Sequence, residues 1–571
     1  MKHKWSLFCC LLIGALWIGL RIGYSEKGET LSVKVTTWDA LGYYMFLPAK
    51  FIYEDEKKLS FIPAIDSVYQ VSGGQFYQAG PCKNGNLAGK YLLGVSILQT
   101  PFFLGAHAYA LSSKYPADGF STPYQMSIAW GAIVFCILAL WLLRKILLNY
   151  FSDPITALTL ILFIAGSNLP QYVAIEGGQS HAWIFPLYVF ILYTTIRWHE
   201  QKKPIWAFLS GLIIGIATIS RPTEAVMLFV PLLWDAGDKC KWKEKWDFIK
   251  TNPLTLIFIF AGLFVGILPQ LIYWKSVTGS WIYDVGSKWD FLNPHWRVLI
   301  GWEKGWFIYT PVTILFVTGL FFMKKFSFRH AVITFCLLNI YIIISWHIWR
   351  YGGSYSTRAL VQSYPIFAFP LAALLEKFVS SKLKYSLIFL IPFLIGVNLF
   401  QIYQYNRNIL HYDDMNRRYY QAIYLNPNPS PIDMSLLDNE TIIRHEEDYQ
   451  RMTLLKKKFM VPMPITSDTI LLSHHMGPDK AKHVIKINCN IHVRRGLWGS
   501  YIRTFVQQGP HTDTFRIRLF NALCHEGNDQ DYSYFIPIPK SVDSSKITLS
   551  IEGSPELQAF LNNIELIDFK K

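Results

Sequence analysis

Charge is scarce in this chain. Asp, Glu, Lys and Arg together make up 16% of its 571 residues, against 52% hydrophobic residues. Such a balance excludes an ordinary soluble enzyme, which carries about a quarter of its residues charged. Cysteine is thin as well: eight residues, none in a CxxC pair, so neither a zinc site nor a thioredoxin-type motif is indicated. Cys489 and Cys524 read either as a disulfide on an extracytoplasmic tail or as two unpaired buried thiols. There is no Walker loop and no GxGxxG fingerprint, which argues against direct nucleotide chemistry. What is abundant is apolar sequence, in many runs close to twenty residues, and the chain reads as a polytopic α-helical membrane protein.

The net charge of +15 suggests nucleic acid only until its distribution is considered. Much of the Lys and Arg falls in short loops between apolar runs, where it holds loops in the cytoplasm. The first run, Trp5 to Leu20, follows Met1-Lys2-His3-Lys4 and lacks a small-x-small cleavage site, so an uncleaved first helix with a cytoplasmic N-terminus is expected. Residues 24–124 then form a large first extracytoplasmic loop rich in turn chemistry. Within it, Tyr91 to Leu111 is interrupted by Gly94, Gln99, Pro101 and His107, and reads either as a span or as interfacial helix.

With the interfacial reading, ten further runs alternate across the membrane: 125–143, 155–170, 181–196, 205–219, 225–234, 254–274, 306–322, 331–346, 359–375 and 385–401. Basic clusters such as Arg144-Lys145, Lys202-Lys203, Lys324-Lys325 and Lys382-Leu383-Lys384 then fall on one side, and the total is about eleven transmembrane helices. The tail changes character. From Lys482 it shows short Val-, Ile-, Phe- and Tyr-rich stretches at 484–493, 501–506, 514–520, 532–538, 547–551 and 557–567, expected to form an extracytoplasmic β-sandwich-like domain. The expected division is a transmembrane domain over 1–420 and a mainly β domain over 421–571.

This topology puts one set of polar groups at the non-cytoplasmic helix ends: Asp39 with Tyr43 and Tyr44, Lys90, Gln179-Ser180-His181, Arg221, Glu303-Lys304, and the Tyr351-to-Arg358 segment that includes Tyr355. An ionisable group at a membrane surface is more often functional than decorative. A base, several cations and hydrogen-bonding groups meeting there suit a reaction on a lipid-linked anionic substrate.

The order Trp38-Asp39-Ala40-Leu41-Gly42-Tyr43-Tyr44, Lys90-Tyr91-Leu92-Leu93-Gly94, Ser220-Arg221-Pro222-Thr223 and Tyr351-Gly352-Gly353-Ser354-Tyr355-Ser356-Thr357-Arg358 resembles the GT-C superfamily of membrane glycosyltransferases, whose members include protein O-mannosyltransferases and lipid A aminoarabinose transferases. The resemblance covers roughly residues 1–420 and implies transfer of a sugar, with anomeric inversion, from a polyprenyl phosphate or diphosphate to an extracytoplasmic acceptor. It implies that Asp39 is the general base, help worth about 10² to 10⁴ in rate. Its structural alternative is a helix cap or an aromatic-belt hydrogen bond.

Lys90 is expected to face the leaving phosphate, where a fixed cation stabilises growing negative charge, or else to snorkel from an interfacial helix. Relatives carry Lys-Pro-Pro or Lys-Tyr-Pro there, and this chain departs with Tyr91-Leu92. Arg358, a planar fork for two phosphate oxygens, and Arg221 complete the expected phosphate set. Substrate contacts are expected from Tyr43, Tyr44, Gln179, His181, Glu303, Lys304 and Tyr355. His181 reads otherwise as a histidine satisfied by a neighbouring carbonyl, and Glu303-Lys304 as a surface pair.

Asp39, Glu176 and the run Glu54-Asp55-Glu56 offer oxygens to a divalent ion. Lys57-Lys58 follows that run directly, however, and the expectation is an enzyme with no metal and no cofactor. Expected partners are a polyprenyl-phosphate-linked sugar, a glycan, lipid or protein acceptor, and membrane lipids, with no nucleic acid. Alternatives are an oligosaccharide ligase or oligosaccharyltransferase using a polyprenyl-diphosphate glycan, and a flippase or transporter without chemistry. Trp498, Tyr501, Arg503 and His511 in the tail read either as glycan contacts or as packing. A bacterial inner membrane is the expected location, since Asp568-Phe569-Lys570-Lys571 is not a retention signal.

Overall fold

The computed structural model describes residues 3–25, 34–478, 481, 483–540 and 543–570. Met1, Lys2, the loop segment 26–33, Lys482 and Lys571, which figure in the readings above, lie outside the described residues. The chain forms two compact units, Met1–Leu399 and Phe400–Lys571.

Five helices among the described residues are long and apolar enough to cross a membrane: Lys4–Tyr24, Thr122–Leu148, Leu254–Thr278, Arg358–Val379 and Lys384–Tyr405. Against the expectation of about eleven spans, the other apolar runs form shorter or broken elements. Asp153–Ala165, Pro204–Thr218 and Arg329–Ile344 are apolar helices of thirteen to sixteen residues. Residues 225–234 divide between a 3₁₀ stretch, Pro222–Leu228, and the short helix Phe229–Leu233. Residues 306–322 divide among Trp306–Tyr309, Val312–Gly319 and Leu320–Lys325. Proline punctuates many of these breaks, because it removes a backbone donor and clashes with the preceding turn.

The segment Gly94–Leu111 is helical with Pro101 inside it, and it buries Ser96 and Gln99. Ser180–Gln201 is a 22-residue helix that starts at the polar cluster and ends in the basic loop, with sixteen of its residues buried. Between Tyr69 and Gly94 a small hairpin, β1 (Ala79–Pro81) and β2 (Leu87–Gly89), pairs antiparallel and delivers Lys90.

The second unit holds β3 (Gln450–Ile465), β4 (Ile470–Met476), β5 (His483–Arg495), β6 (Tyr501–Gln508), β7 (His511–Arg518), β8 (Asp529–Ile538), β9 (Ser545–Glu552) and β10 (Gln558–Lys570). They form two four-stranded sheets, ordered β3-β10-β5-β8 and β4-β9-β6-β7, with antiparallel pairings throughout. Strand β5 shows the cause: Ile485, Ile487, Cys489, Ile491 and Val493 are buried at every second position, the period of a pleated strand. These side chains join Ile502, Val506, Ile547, Leu549, Leu561 and Leu566 in one apolar core fed by both sheets. Cys489 and Cys524 are both buried free thiols in that core, which settles the choice left open above.

Candidate active site

The first-loop aspartate sits where a large residue adopts a backbone conformation normally left to glycine. Trp38 has φ +54 and donates its N–H to the Val71 carbonyl (2.9 Å), and Asp39 then opens the short helix Asp39–Tyr44. A left-handed φ at a bulky residue stores strain that neighbouring structure must hold, a pattern that clusters at working sites. Asp39 Oδ1 accepts hydrogen bonds from Tyr77 Oη (2.7 Å) and Tyr91 Oη (2.6 Å), and Arg358 Nη2 meets Oδ2 at 2.5 Å. Burial alone raises the Asp39 carboxyl. The Arg358 charge and the three donors outweigh it and hold the pKa at about 2, so this group is a carboxylate at any physiological pH. Burial and the adjacent Asp39 charge push both phenols up, keeping them O–H donors.

Two glycines explain why the motifs have their spelling. A Cβ on Gly42 would lie 2.1 Å from the Tyr91 ring, so the absence of a side chain in Leu41-Gly42-Tyr43 is what lets Tyr91 reach Asp39. A Cβ on Gly94 would lie 2.2 Å from Ser220 Oγ and 2.5 Å from the Ile216 carbonyl, while Gly94 N–H donates to the Ile219 carbonyl at 2.7 Å. This backbone contact brings the Lys90-to-Gly94 and Ser220-to-Thr223 segments together, and with them Lys90 and Arg221.

Arg358 is placed by a turn in which Tyr351, Gly352 and Ser356 all take positive φ. Lys304 holds that turn, donating from Nζ to the Arg350 and Gly352 carbonyls, and Thr357 Oγ1 donates to the Val298 (2.8 Å) and Lys304 (3.0 Å) carbonyls. The result is one cavity of about 440 Å³ whose walls include Asp39, Tyr43, Lys90, Gln179, His181, Arg221 and Arg358. Four of the expected residues lie elsewhere. Tyr44 is fully buried, its hydroxyl on the Gly119 carbonyl; Tyr355 is 1% exposed, its hydroxyl donating to the Tyr309 carbonyl; Glu303 pairs with Arg297 at 3.9 Å; and Lys304 is spent on the turn. All four are better described as structural, because their polar atoms are engaged with backbone or a salt partner outside the cavity wall.

The cavity also shows residues that sequence reasoning passed over. Tyr91 was legible only as the neighbour of Lys90, whereas Tyr77 carries no local signal: it reaches Asp39 only through the fold of the first loop. Trp289, Trp346 and His347 line the cavity too. Glu176 is held by Gln171 Nε2 (3.0 Å), and among the described residues no group of three His, Cys, Asp or Glu side chains is arranged to hold a metal. In the second unit, Arg503 pairs with Asp468 and Glu552, His511 with Asp513, and Tyr501 lies under Arg516, while Trp498 is exposed beside Tyr412.

The resemblance to the GT-C superfamily is met by one family model, over part of the chain. Residues 120–264 match the family model described as dolichyl-phosphate-mannose-protein mannosyltransferase. That stretch contains Gln179, His181 and Arg221 but not Asp39, Lys90 or Arg358. Among solved structures, the archaeal oligosaccharyltransferase AglB from Archaeoglobus fulgidus, in complex with an inhibitory peptide and a dolichol-phosphate, is similar at 11% identity with a TM-score of 0.40. The similarity covers 74% of this chain and 57% of that one. No curated protein matches the sequence.

Proposed function

We propose that this protein is an inverting glycosyltransferase that moves a sugar from a polyprenyl-phosphate donor to a hydroxyl of an extracytoplasmic glycan, lipid or protein acceptor. The observation that carries the reading is the shared cavity: Asp39 is ion-paired to Arg358, and Lys90 and Arg221 stand in the same walls. In this reading the lipid-linked phosphate sits among Arg358, Lys90 and Arg221, which offset the charge gained as the glycosidic bond breaks. Asp39 accepts the acceptor's hydroxyl proton as that oxygen attacks the anomeric carbon. Arg358 links the two events. As its guanidinium turns to phosphate oxygens, its hold on Asp39 weakens and the carboxylate becomes the stronger base that proton removal requires. Gln179, His181 and Tyr43 are assigned to the sugar and acceptor hydroxyls.

The membrane arrangement belongs to the same proposal. The shorter apolar helices complete a set of about eleven spans, the N-terminus is cytoplasmic, and the cavity and the β-rich unit face the outside of a bacterial inner membrane. Support comes from the basic loops, which collect at the ends of the helices opposite the cavity residues, as at the two ends of Ser180–Gln201. The test is incubation of purified full-length protein with radiolabelled polyprenyl-phosphate monosaccharides and an acceptor extract. Labelled product together with free polyprenyl phosphate is expected. Transfer only from a polyprenyl-diphosphate oligosaccharide would replace this reading with an oligosaccharide ligase, and bilayer translocation without bond cleavage would replace it with a flippase.

A further inference from the structure

Behind His181 a chain of buried side chains runs away from the cavity. Gln362 and Glu224 are each 1% exposed and His181 is 2% exposed. Gln362 Nε2 donates to the Ala359 carbonyl at 2.8 Å and to Glu224 Oε1 at 2.9 Å. A backbone carbonyl only accepts, so the nitrogen end of the amide has to be the one facing Ala359 whatever the protonation of Glu224. The amide oxygen therefore faces His181 Nδ1, 2.8 Å away. An amide oxygen also only accepts, so the hydrogen of that contact resides on Nδ1. Tyr188 Oη closes the far end by donating to Glu224 Oε2. With Nδ1 committed to Gln362, Nε2 is the nitrogen left for the cavity that His181 lines.

We infer that Glu224 and Gln362 are positioning residues that hold His181 as its Nδ1–H tautomer, so that Nε2 accepts a hydrogen bond from one hydroxyl of the bound sugar and makes the site selective for a sugar carrying it. Fixing a histidine's tautomer through the bond made by its other nitrogen is a common device for aiming a ring at a ligand. A site built to pair a hydroxyl discriminates strongly against an analogue without it, because the buried acceptor is then left unpaired. The tautomer half of the inference stands on hydrogen-bond geometry alone; the sugar half rests on the proposed function.

Two measurements on the full chain separate these halves. Solid-state ¹⁵N NMR of histidine-labelled protein in lipid bilayers, with His181→Ala for assignment, is expected to show His181 protonated at Nδ1 and bare at Nε2. Gln362→Leu, which removes the acceptor facing Nδ1, is expected to release the ring into a mixture of tautomers. A wild-type ring protonated at Nε2 or at both nitrogens, or a tautomer unmoved by Gln362→Leu, overturns the assignment, and the wild-type spectrum decides even where a variant does not fold. The kinetic arm uses single-deoxy analogues of whichever polyprenyl-phosphate sugar is turned over. One deoxy position is expected to cost wild type roughly 100-fold in kcat/KM and His181→Ala no more than a few-fold. Equal losses in both proteins at every position, with transfer still running, overturn the selectivity claim. Failure to transfer from any such donor sinks the proposed function, and the sugar half with it, without touching the tautomer.

Discussion

Breaking the Asp39–Arg358 pair from either side has a cost that can be worked from its geometry. The side chains are 24% and 12% exposed and meet at 2.5 Å, so little water screens them. The carboxyl falls from 3.8 to about 2. Each tenfold change in proton affinity is worth 1.36 kcal/mol, so the environment favours the carboxylate by about 2.4 kcal/mol. Removing one partner leaves a buried charge unpaired, at about 3–5 kcal/mol. Arg358→Met and Asp39→Asn are therefore each expected to destabilise the protein, while the double variant costs at least about 2 kcal/mol less than the two single effects combined. Denaturant-induced unfolding in mixed micelles, followed by tryptophan fluorescence, measures the three variants against wild type. The sign of the pH dependence follows from the depressed pKa. The pair's contribution is fully present above the unfolded carboxyl's ordinary value and is lost as pH falls through about 2, a loss absent from Asp39→Asn. Additive single effects, within about 0.5 kcal/mol, would refute the ion pair as a coupled unit.

Tyr91→Phe removes one donor to Asp39 and is expected to cost about 1 kcal/mol of stability and raise the Asp39 pKa, read as acid unfolding that begins at a higher pH. Gly42→Ala drives a methyl into the Tyr91 ring and is expected to lower both stability and turnover more than Tyr91→Phe does, measured by melting and by transfer assay. Lys90→Gln and Arg221→Gln are each expected to lower kcat/KM by roughly 10–100-fold, with the loss easing at lower salt for the remaining cations, in initial-rate assays over a donor series. Gly94→Ala is expected to disturb the Ser220 contact and weaken donor binding at a distance from the cavity, read as a raised KM and a lowered melting temperature.

What the sequence reveals of this molecule depends on how local each signal is. Strand β5 was readable because burial at every second residue leaves Ile485, Ile487, Cys489, Ile491 and Val493 in alternation. Strand β3 was not. It is the edge of its sheet, its burial pattern is mostly exposed, and Lys456-Lys457-Lys458 interrupts any apolar period. Helical runs were readable as apolar length, but the break at Pro311 divides the run 306–322 into several short elements. In the cavity, Asp39, Lys90, Arg221 and Arg358 stood out as charges beside apolar helices. Lys304 stood out for the same reason and Tyr355 as a polar aromatic, yet Lys304 serves the turn and the Tyr355 hydroxyl the Tyr309 carbonyl, since sequence shows that a polar group is present and not which way it faces. Tyr77, Glu224 and Gln362 carry no pattern of their own and acquire meaning only from contacts 36 to 181 residues away in sequence.

The central claim is that Asp39 removes the acceptor proton while cations hold the lipid-linked phosphate. Its most direct measurement is single-turnover transfer from a saturating labelled polyprenyl-phosphate sugar by wild type and Asp39→Asn, with donor binding to each followed in parallel. The account predicts a rate lower by about 10² to 10⁴ in the variant, with donor still bound. Transfer by Asp39→Asn at the wild-type rate would contradict it.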